Sequence, residues 1–110
     1  MLPSGLAQYT YQVYCPAMIK RVDLTPSARK DLRKVPVAIV TKFRAWVDDV
    51  EHNGLEEAQK RPGYHDEPLR GKRAGQRSVR LNRAWRAIYE IKADGTIELV
   101  EVQEVNKHDY

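Results

Sequence analysis

Seven basic residues in one segment are the strongest chemical feature of this sequence. They lie where the chain has no acidic residue, at Arg70, Lys72, Arg73, Arg77, Arg80, Arg83 and Arg86. The whole chain has 19 Lys and Arg against 15 Asp and Glu, so the rest of the chain carries a net charge of −3. Arg binds phosphate through two parallel hydrogen bonds, so the segment favours an anionic partner such as a nucleic-acid backbone. A solvated strand face and loop without a ligand is the alternative.

Cleavage of a phosphodiester is one reaction that this segment could support. It needs positive charge around the phosphate, a base that takes a proton and an acid that gives one to the leaving oxygen. The candidate side chains are Arg80 and Arg86 for charge, Glu67, His65 and His108 for proton transfer, and Tyr64 and Tyr110 for stacking on an unpaired base. RNA supplies its own nucleophile, the 2′-hydroxyl, so no metal or other cofactor is required. The histidine spacing matches no usual metal site.

Ion pairing within the protein is the simplest alternative role for these residues. Glu67 could pair with Arg70. The two candidate phosphate-binding arginines could pair across strands with Glu98, Glu101 or Glu104. A non-catalytic nucleic-acid-binding module would explain the same arginines.

The size and composition favour one domain. The chain has 110 residues, and residues 1–17 form an uncharged N-terminal extension before a single predicted domain at residues 18–110. No apolar stretch is long enough to span a membrane. A single cysteine, Cys15, excludes an internal disulfide and favours a reducing, cytoplasmic location.

The elements that must position the candidate residues follow from local patterns. Alternation predicts a strand at residues 19–24, and Thr25-Pro26 predicts the start of a helix that reaches about residue 34. Apolar residues at three- and four-residue spacing predict a second helix that starts after Pro36 and stops at Asn53-Gly54. One further helical turn is predicted at residues 55–60. Three strands are predicted at residues 76–81, 84–91 and 97–105, the last two joined at Asp94-Gly95.

This order predicts an α+β fold in which helices cover one face of the sheet and leave the other open. It consists of strand, helix and helix, followed by a three-stranded antiparallel meander. Arg80 alternates with Val79 and Leu81, and Arg86 alternates with Trp85 and Ala87. We therefore expect Arg80 and Arg86 to converge on the open face.

Four stretches of the second half form a combined pattern. They are EPLRG at residues 67–71, GQRSVRL at 75–81, WRAIY at 85–89 and the ending VNKHDY at 105–110. This pattern resembles the RelE/YoeB/HigB superfamily of bacterial toxin ribonucleases over roughly residues 18–110. The resemblance implies a RelE-like fold and a toxin of a toxin–antitoxin pair. It implies a metal-independent, ribosome-dependent mRNA endoribonuclease (an mRNA interferase) that inhibits translation.

The resemblance also implies roles for individual residues. Arg86 falls on the phosphate-stabilising arginine, Arg80 on a second arginine, and Glu67 on the general base of the YoeB-like branch. His108 and Tyr110 fall near the C-terminal pair that acts in acid catalysis and base stacking, with Asp109 inserted between them. The implied RNA-binding residues, together with those proposed above from their chemistry, are Tyr64, His65, Arg70, Lys72, Arg73, Arg77 and Arg83.

The implied partners are a cognate antitoxin protein, the ribosome and mRNA, without a membrane or a small-molecule cofactor. Glu67 and His65 both remain candidates for the base. The superfamily also contains ParE-like members, which inhibit gyrase and lack the ribonuclease residues. A ParE-like gyrase inhibitor and a non-catalytic nucleic-acid-binding module are therefore the alternative functions.

Overall fold

The structure is a computed structural model that describes residues 18–107. The predicted extension at residues 1–17 and the candidate residues His108 and Tyr110 lie outside this range. The strands are β1 (Arg21–Leu24), β2 (Glu67–Pro68), β3 (Arg77–Arg80), β4 (Trp85–Asp94) and β5 (Ile97–Lys107). The helices are α1 (Pro26–Leu32), α2 (Val37–Asn53) and α3 (Leu55–Gln59), with 3₁₀ turns at Pro62–Tyr64 and Gly71–Arg73.

The start of α1 is fixed by the predicted cap. The Thr25 side-chain oxygen accepts a hydrogen bond from the Ala28 amide at 3.0 Å. Pro26 occupies the first helical position, where its fixed φ suits the helix and its missing amide hydrogen is not needed. The helix ends at Leu32, two residues earlier than predicted.

The five strands described form one sheet in the order β1-β5-β4-β3-β2. β1 runs parallel to β5, and the other neighbouring pairs are antiparallel. The predicted meander of three antiparallel strands is confirmed as β3, β4 and β5. The sequence did not predict β2, because two residues that include a proline give no strand pattern.

The hairpin between β4 and β5 is longer than predicted. Strand pairing continues to Asp94 opposite Ile97, so that Gly95 and Thr96 alone form the loop. Gly95 has a φ of 67°, which tight hairpin turns require and glycine adopts without a steric penalty.

A bulge in β5 decides which of its residues face the helices. On β4, Ile88 pairs with Glu104 of β5, but the next residue, Tyr89, pairs with Val102. Gln103 of β5 therefore has no partner in that register. Val102 and Val105 are therefore both buried in the core, although they are three residues apart. The backbone here bonds to α1 and its cap: Thr25 Oγ1 donates to the Gln103 carbonyl at 3.1 Å, and the Val105 amide donates to Asp31 at 3.0 Å.

The core lies between the helices and one face of the sheet. Trp46 of α2 is fully buried, with its ring centroid 6.0 Å from that of Phe43 and 5.5 Å from that of Tyr89 on β4. Burying such aromatic rings contributes much of the stability of a small core. The predicted α+β fold class, with helices on one face of the sheet, is confirmed. Within residues 18–107, no helix is both long and apolar enough to cross a membrane.

Candidate active site

Arg80 and Arg86 are direct partners across the β3–β4 pair. Residues opposite each other in an antiparallel pair project from the same face of the sheet. Their neighbours Val79 and Ala87 are buried in the core on the other face. The structure thus brings the two arginines together on the open face, as the strand alternation predicted.

Neither of these arginines forms an ion pair with another residue of the range 18–107. Two of the β5 acids that could have paired with them contact other groups. Glu104 accepts hydrogen bonds from Arg73 and Asn106, and Glu101 accepts one from Gln103 at 2.7 Å. The Nε of Arg86 is buried and has no hydrogen-bond partner among the described residues. The alternative of cross-strand ion pairs is therefore not observed in the described part of the chain.

His65 and Glu67 form a second pair beside the arginines. His65 Nε2 lies 2.9 Å from Glu67 Oε2. Glu67 on β2 is opposite Ser78 on β3, which shares the open face with Arg80 two residues later. The sequence alternative paired Glu67 with Arg70. In the structure the Glu67 carboxylate contacts His65.

The two arginines and the His65–Glu67 pair line one cleft of about 200 Å³. The lining side chains are His65, Glu67, Ser78, Arg80, Asn82, Arg83, Trp85 and Arg86. Asn82 Oδ1 accepts hydrogen bonds from the amides of Ala84 and Trp85, both at 2.8 Å, which holds the turn between β3 and β4. In the part of the chain that the structure describes, no group of three or more His, Cys, Asp or Glu side chains could hold a metal ion.

The cleft also includes residues that the sequence did not nominate. Ser78, Asn82 and Trp85 line it beside the predicted residues. The sequence could have predicted Ser78, because it lies two residues before Arg80 on the same strand and therefore on the same face. Trp85 packs partly against the core as well, consistent with its predicted parity.

Arg77 lies on the helix-covered side of the sheet, away from the cleft. Its partner in the strand register is the buried Tyr89. Its Nε donates to Asp66 Oδ1 at 2.6 Å, and the Asp66 side chain is 1% exposed. We therefore interpret Arg77 as a structural residue and leave it out of the proposed RNA-binding surface.

The other nominated residues occupy the loop before β3 and the 3₁₀ turn before β2. Arg70 and Lys72 are exposed, and Arg73 pairs with Glu104 of β5. Tyr64 packs partly against the core, and burial raises the pKa of its phenol. None of these four residues lines the cleft, whereas Arg83 does.

Comparisons with known proteins agree on the class of this chain. The profile of a family described as "ParE toxin of type II toxin-antitoxin system, parDE" matches residues 22–106. No curated protein matches the sequence significantly. The chain therefore belongs to the ParE toxin family of type II toxin–antitoxin systems, within the RelE/YoeB superfamily indicated by its sequence.

Solved structures share the fold at low sequence identity. The YoeB/ParE toxin from Agrobacterium tumefaciens is 21% identical with a TM-score of 0.59, over 81% of this chain and 99% of that one. The toxin–antitoxin complex RelBE2 from Mycobacterium tuberculosis includes a chain that is 26% identical with a TM-score of 0.59, over 82% and 99% of the two chains. In the DinJ-YafQ toxin–antitoxin complex from E. coli, the values are 20% identity and a TM-score of 0.63, over 82% and 94%.

Proposed function

We propose that this toxin is a ribosome-dependent endoribonuclease that cleaves mRNA. The observation that carries the proposal is the direct pairing of Arg80 with Arg86 at a cleft that also holds the His65–Glu67 pair. Like charges placed directly opposite each other in a sheet are unfavourable. An anionic ligand in the cleft would convert this arrangement into a favourable one, and guanidinium groups bind phosphate through two parallel hydrogen bonds.

The proposed reaction is an attack within the RNA chain. The 2′-hydroxyl oxygen forms a bond to phosphorus, the bond from phosphorus to the 5′-oxygen breaks, and the products are a 2′,3′-cyclic phosphate and a 5′-hydroxyl. Glu67 takes the proton from the 2′-hydroxyl, and His65 orients the Glu67 carboxylate through their 2.9 Å contact. His108 or Tyr110 gives a proton to the leaving 5′-oxygen.

The arginines would stabilise the negative charge that develops on the phosphate during this reaction. Removal of one preorganised donor of this kind lowers the rate by roughly 10²–10³-fold. The ribosome would supply the remaining contribution by holding the mRNA in the reactive geometry, so free RNA should be cut poorly.

The decisive experiment is primer extension on transcripts after brief expression in bacterial cells. The parent chain should give cuts at in-frame codon positions of translated regions, and Arg86→Ala should abolish them. Lys42→Ala is the matched control, because it removes one exposed positive charge from α2, outside the cleft. Transcripts that stay intact during growth arrest would reject the ribonuclease function.

A ParE-like inhibitor of gyrase is the second candidate, because the matching family profile is named for ParE. This function needs no RNA chemistry, so it predicts damaged DNA and intact transcripts after expression. The same induced cultures, analysed for both products, separate the two candidates. Growth arrest that persists in Arg86→Ala together with DNA damage would favour the second.

An antitoxin is the partner that we propose from the family match and from the toxin–antitoxin complexes among the similar structures. A groove of about 620 Å³ on the helical side fits one segment of such a partner. Its apolar lining consists of Leu24, Leu32, Val40, Phe43 and Val47, and its charged residues are Arg29, Arg33, Arg44 and Asp48. Three arginines against one acid favour an acidic amphipathic segment of the antitoxin.

Charge reversal in this groove tests the antitoxin proposal without touching the cleft. Arg33→Glu combined with Arg44→Glu should keep the growth arrest but weaken neutralisation by a co-expressed cognate antitoxin. Lys42→Glu, on the same helix as Arg44 but outside the groove, is the control for a charge change alone. Full neutralisation of the double variant would contradict binding of the antitoxin in this groove. It would favour the face of the sheet that carries Arg80 and Arg86 as the antitoxin site.

A further inference from the structure

Asp66 separates His65 from Glu67 in the chain, but its side chain points to the other side of the sheet. Its carboxylate is 1% exposed. Oδ1 accepts a hydrogen bond from Arg77 Nε at 2.6 Å, and Oδ2 accepts one from the Tyr89 hydroxyl at 2.6 Å. A buried carboxylate is tolerated when it is paired and hydrogen-bonded in this way.

This buried carboxylate is tied to three elements of the fold. Arg77 belongs to β3 and Tyr89 to β4, where the two residues are direct partners. The Tyr89 hydroxyl also accepts a hydrogen bond from Gln59 Nε2 of α3 at 3.0 Å. The position of Asp66 is therefore set by the core and not by the loop that carries it.

The backbone around Asp66 needs such an anchor. His65 has a φ of 45°, in the left-handed region that a residue with a side chain seldom adopts. Conformations of this kind persist when surrounding contacts hold them, and they concentrate at functional sites. Only two residues of β2, Glu67 and Pro68, pair with β3.

We propose that Asp66 is a positioning residue of the cleft. By fixing its carboxylate between Arg77 and Tyr89, it directs His65 and Glu67 on either side of it towards the paired arginines. The kinetic part of this inference rests on the proposed ribonuclease function. The geometric part does not, because the His65–Glu67 contact can be observed without any reaction.

The test variant is Asp66→Asn, which keeps the size of the side chain and removes its charge. Arg77 and Tyr89 donate to different carboxylate oxygens of Asp66. Asn has an acceptor oxygen at only one of these two positions, because the NH₂ group at the other position can only donate. Tyr89→Phe is the second variant, since it removes one of the two hydrogen bonds and keeps the aromatic ring. Thr25→Ala is the stability control, because it weakens the cap of α1, away from the cleft.

The geometric readout is the set of imidazole NMR resonances of His65 in the purified, folded chain. We expect Asp66→Asn to change them in the same direction as Glu67→Gln, which removes the carboxylate that His65 contacts. Thr25→Ala should leave them unchanged. If Asp66→Asn fails to fold, Tyr89→Phe gives the same comparison with a smaller change. His65 resonances that stay at their parent positions in the folded variant would overturn the proposal.

The kinetic readout is ribosome-dependent cleavage by single and double variants at a temperature where all are folded. Asp66→Asn should lower kcat by roughly 10-fold or more with little change in KM, because it disturbs orientation and not RNA binding. In a Glu67→Gln background the same substitution should have little further effect, since Asp66 acts through that residue. Equal effects in both backgrounds would assign Asp66 a merely structural role. If the parent cleaves no RNA while the His65 resonances respond as expected, the positioning role stands and the ribonuclease function fails.

Discussion

Arg80 and Arg86 occupy directly opposite positions on neighbouring strands, with no acid of the described range between them. This juxtaposition is unfavourable for the folded protein by itself, because like charges opposite each other repel. This cost to stability is consistent with the proposed role of the two arginines in binding an anionic ligand.

Removal of one of these charges should stabilise the protein. We expect Arg80→Gln to raise the free energy of unfolding by roughly 0.2–1 kcal/mol through loss of the cross-strand repulsion. Urea denaturation at low salt measures this gain, which should shrink at high salt because screening already weakens the repulsion. A stability loss in Arg80→Gln at both salt concentrations would contradict this explanation.

The two candidate bases should differ in their contribution to cleavage. If Glu67 takes the proton, Glu67→Gln lowers kcat by roughly 10²–10⁴-fold. His65→Gln should have a smaller effect, because it removes only the group that orients the carboxylate. Single-turnover cleavage of ribosome-bound mRNA measures both. The reverse ranking would assign the base to His65.

Acid stability should depend on Asp49 of α2. Arg61 donates to both carboxylate oxygens, from Nε at 2.8 Å and from a terminal nitrogen at 2.7 Å. These bonds from Arg61 lower the pKa of Asp49 from 3.8 to about 2. Since the folded-state pKa is depressed, the pair stabilises the fold above pH 4, and this contribution is lost as the pH falls towards 2.

We expect Asp49→Asn to lower the free energy of unfolding at neutral pH, because it removes the ion pair with Arg61. The loss should be only about 1 kcal/mol, because solvent screens the half-exposed Arg61. The difference from the parent should shrink below about pH 4 and be lost as the pH falls through about 2. Glu51→Gln, an exposed acid on the same helix, is the matched control. A difference that is as large at pH 2 as at neutral pH would show that the ion pair is not its source.

The contribution of the Thr25 cap of α1 to the free energy of unfolding should be measurable with two variants of that residue. Thr25 Oγ1 accepts from the Ala28 amide and donates to the Gln103 carbonyl at the β5 bulge. Thr25→Ala removes both bonds and should lower the free energy of unfolding by about 1–2 kcal/mol. Thr25→Ser keeps the hydroxyl and should recover most of this loss in thermal or urea denaturation. Equal losses in both variants would instead indicate the packing of the Thr methyl group.

Local patterns in the sequence determined much of the fold and part of the site. Thr25-Pro26 predicted the start of α1, and Asp94-Gly95 predicted the hairpin between β4 and β5. These features depend on φ preferences and on hydrogen bonds between residues close in the chain. Strand alternation also predicted that Arg80 and Arg86 share a face, because the period of a strand is two.

Contacts between distant parts of the chain decided the remaining features. Arg77 belongs to the same basic segment as Arg80, but its pairing with Asp66 is set by packing against Tyr89. The β5 bulge places Val102 and Val105 on one face, whereas regular strand alternation would place them on opposite faces. Charge and periodicity in the sequence specify which residues can lie on a surface. Tertiary contacts decide which of these residues form ion pairs within the protein and which can contact a ligand.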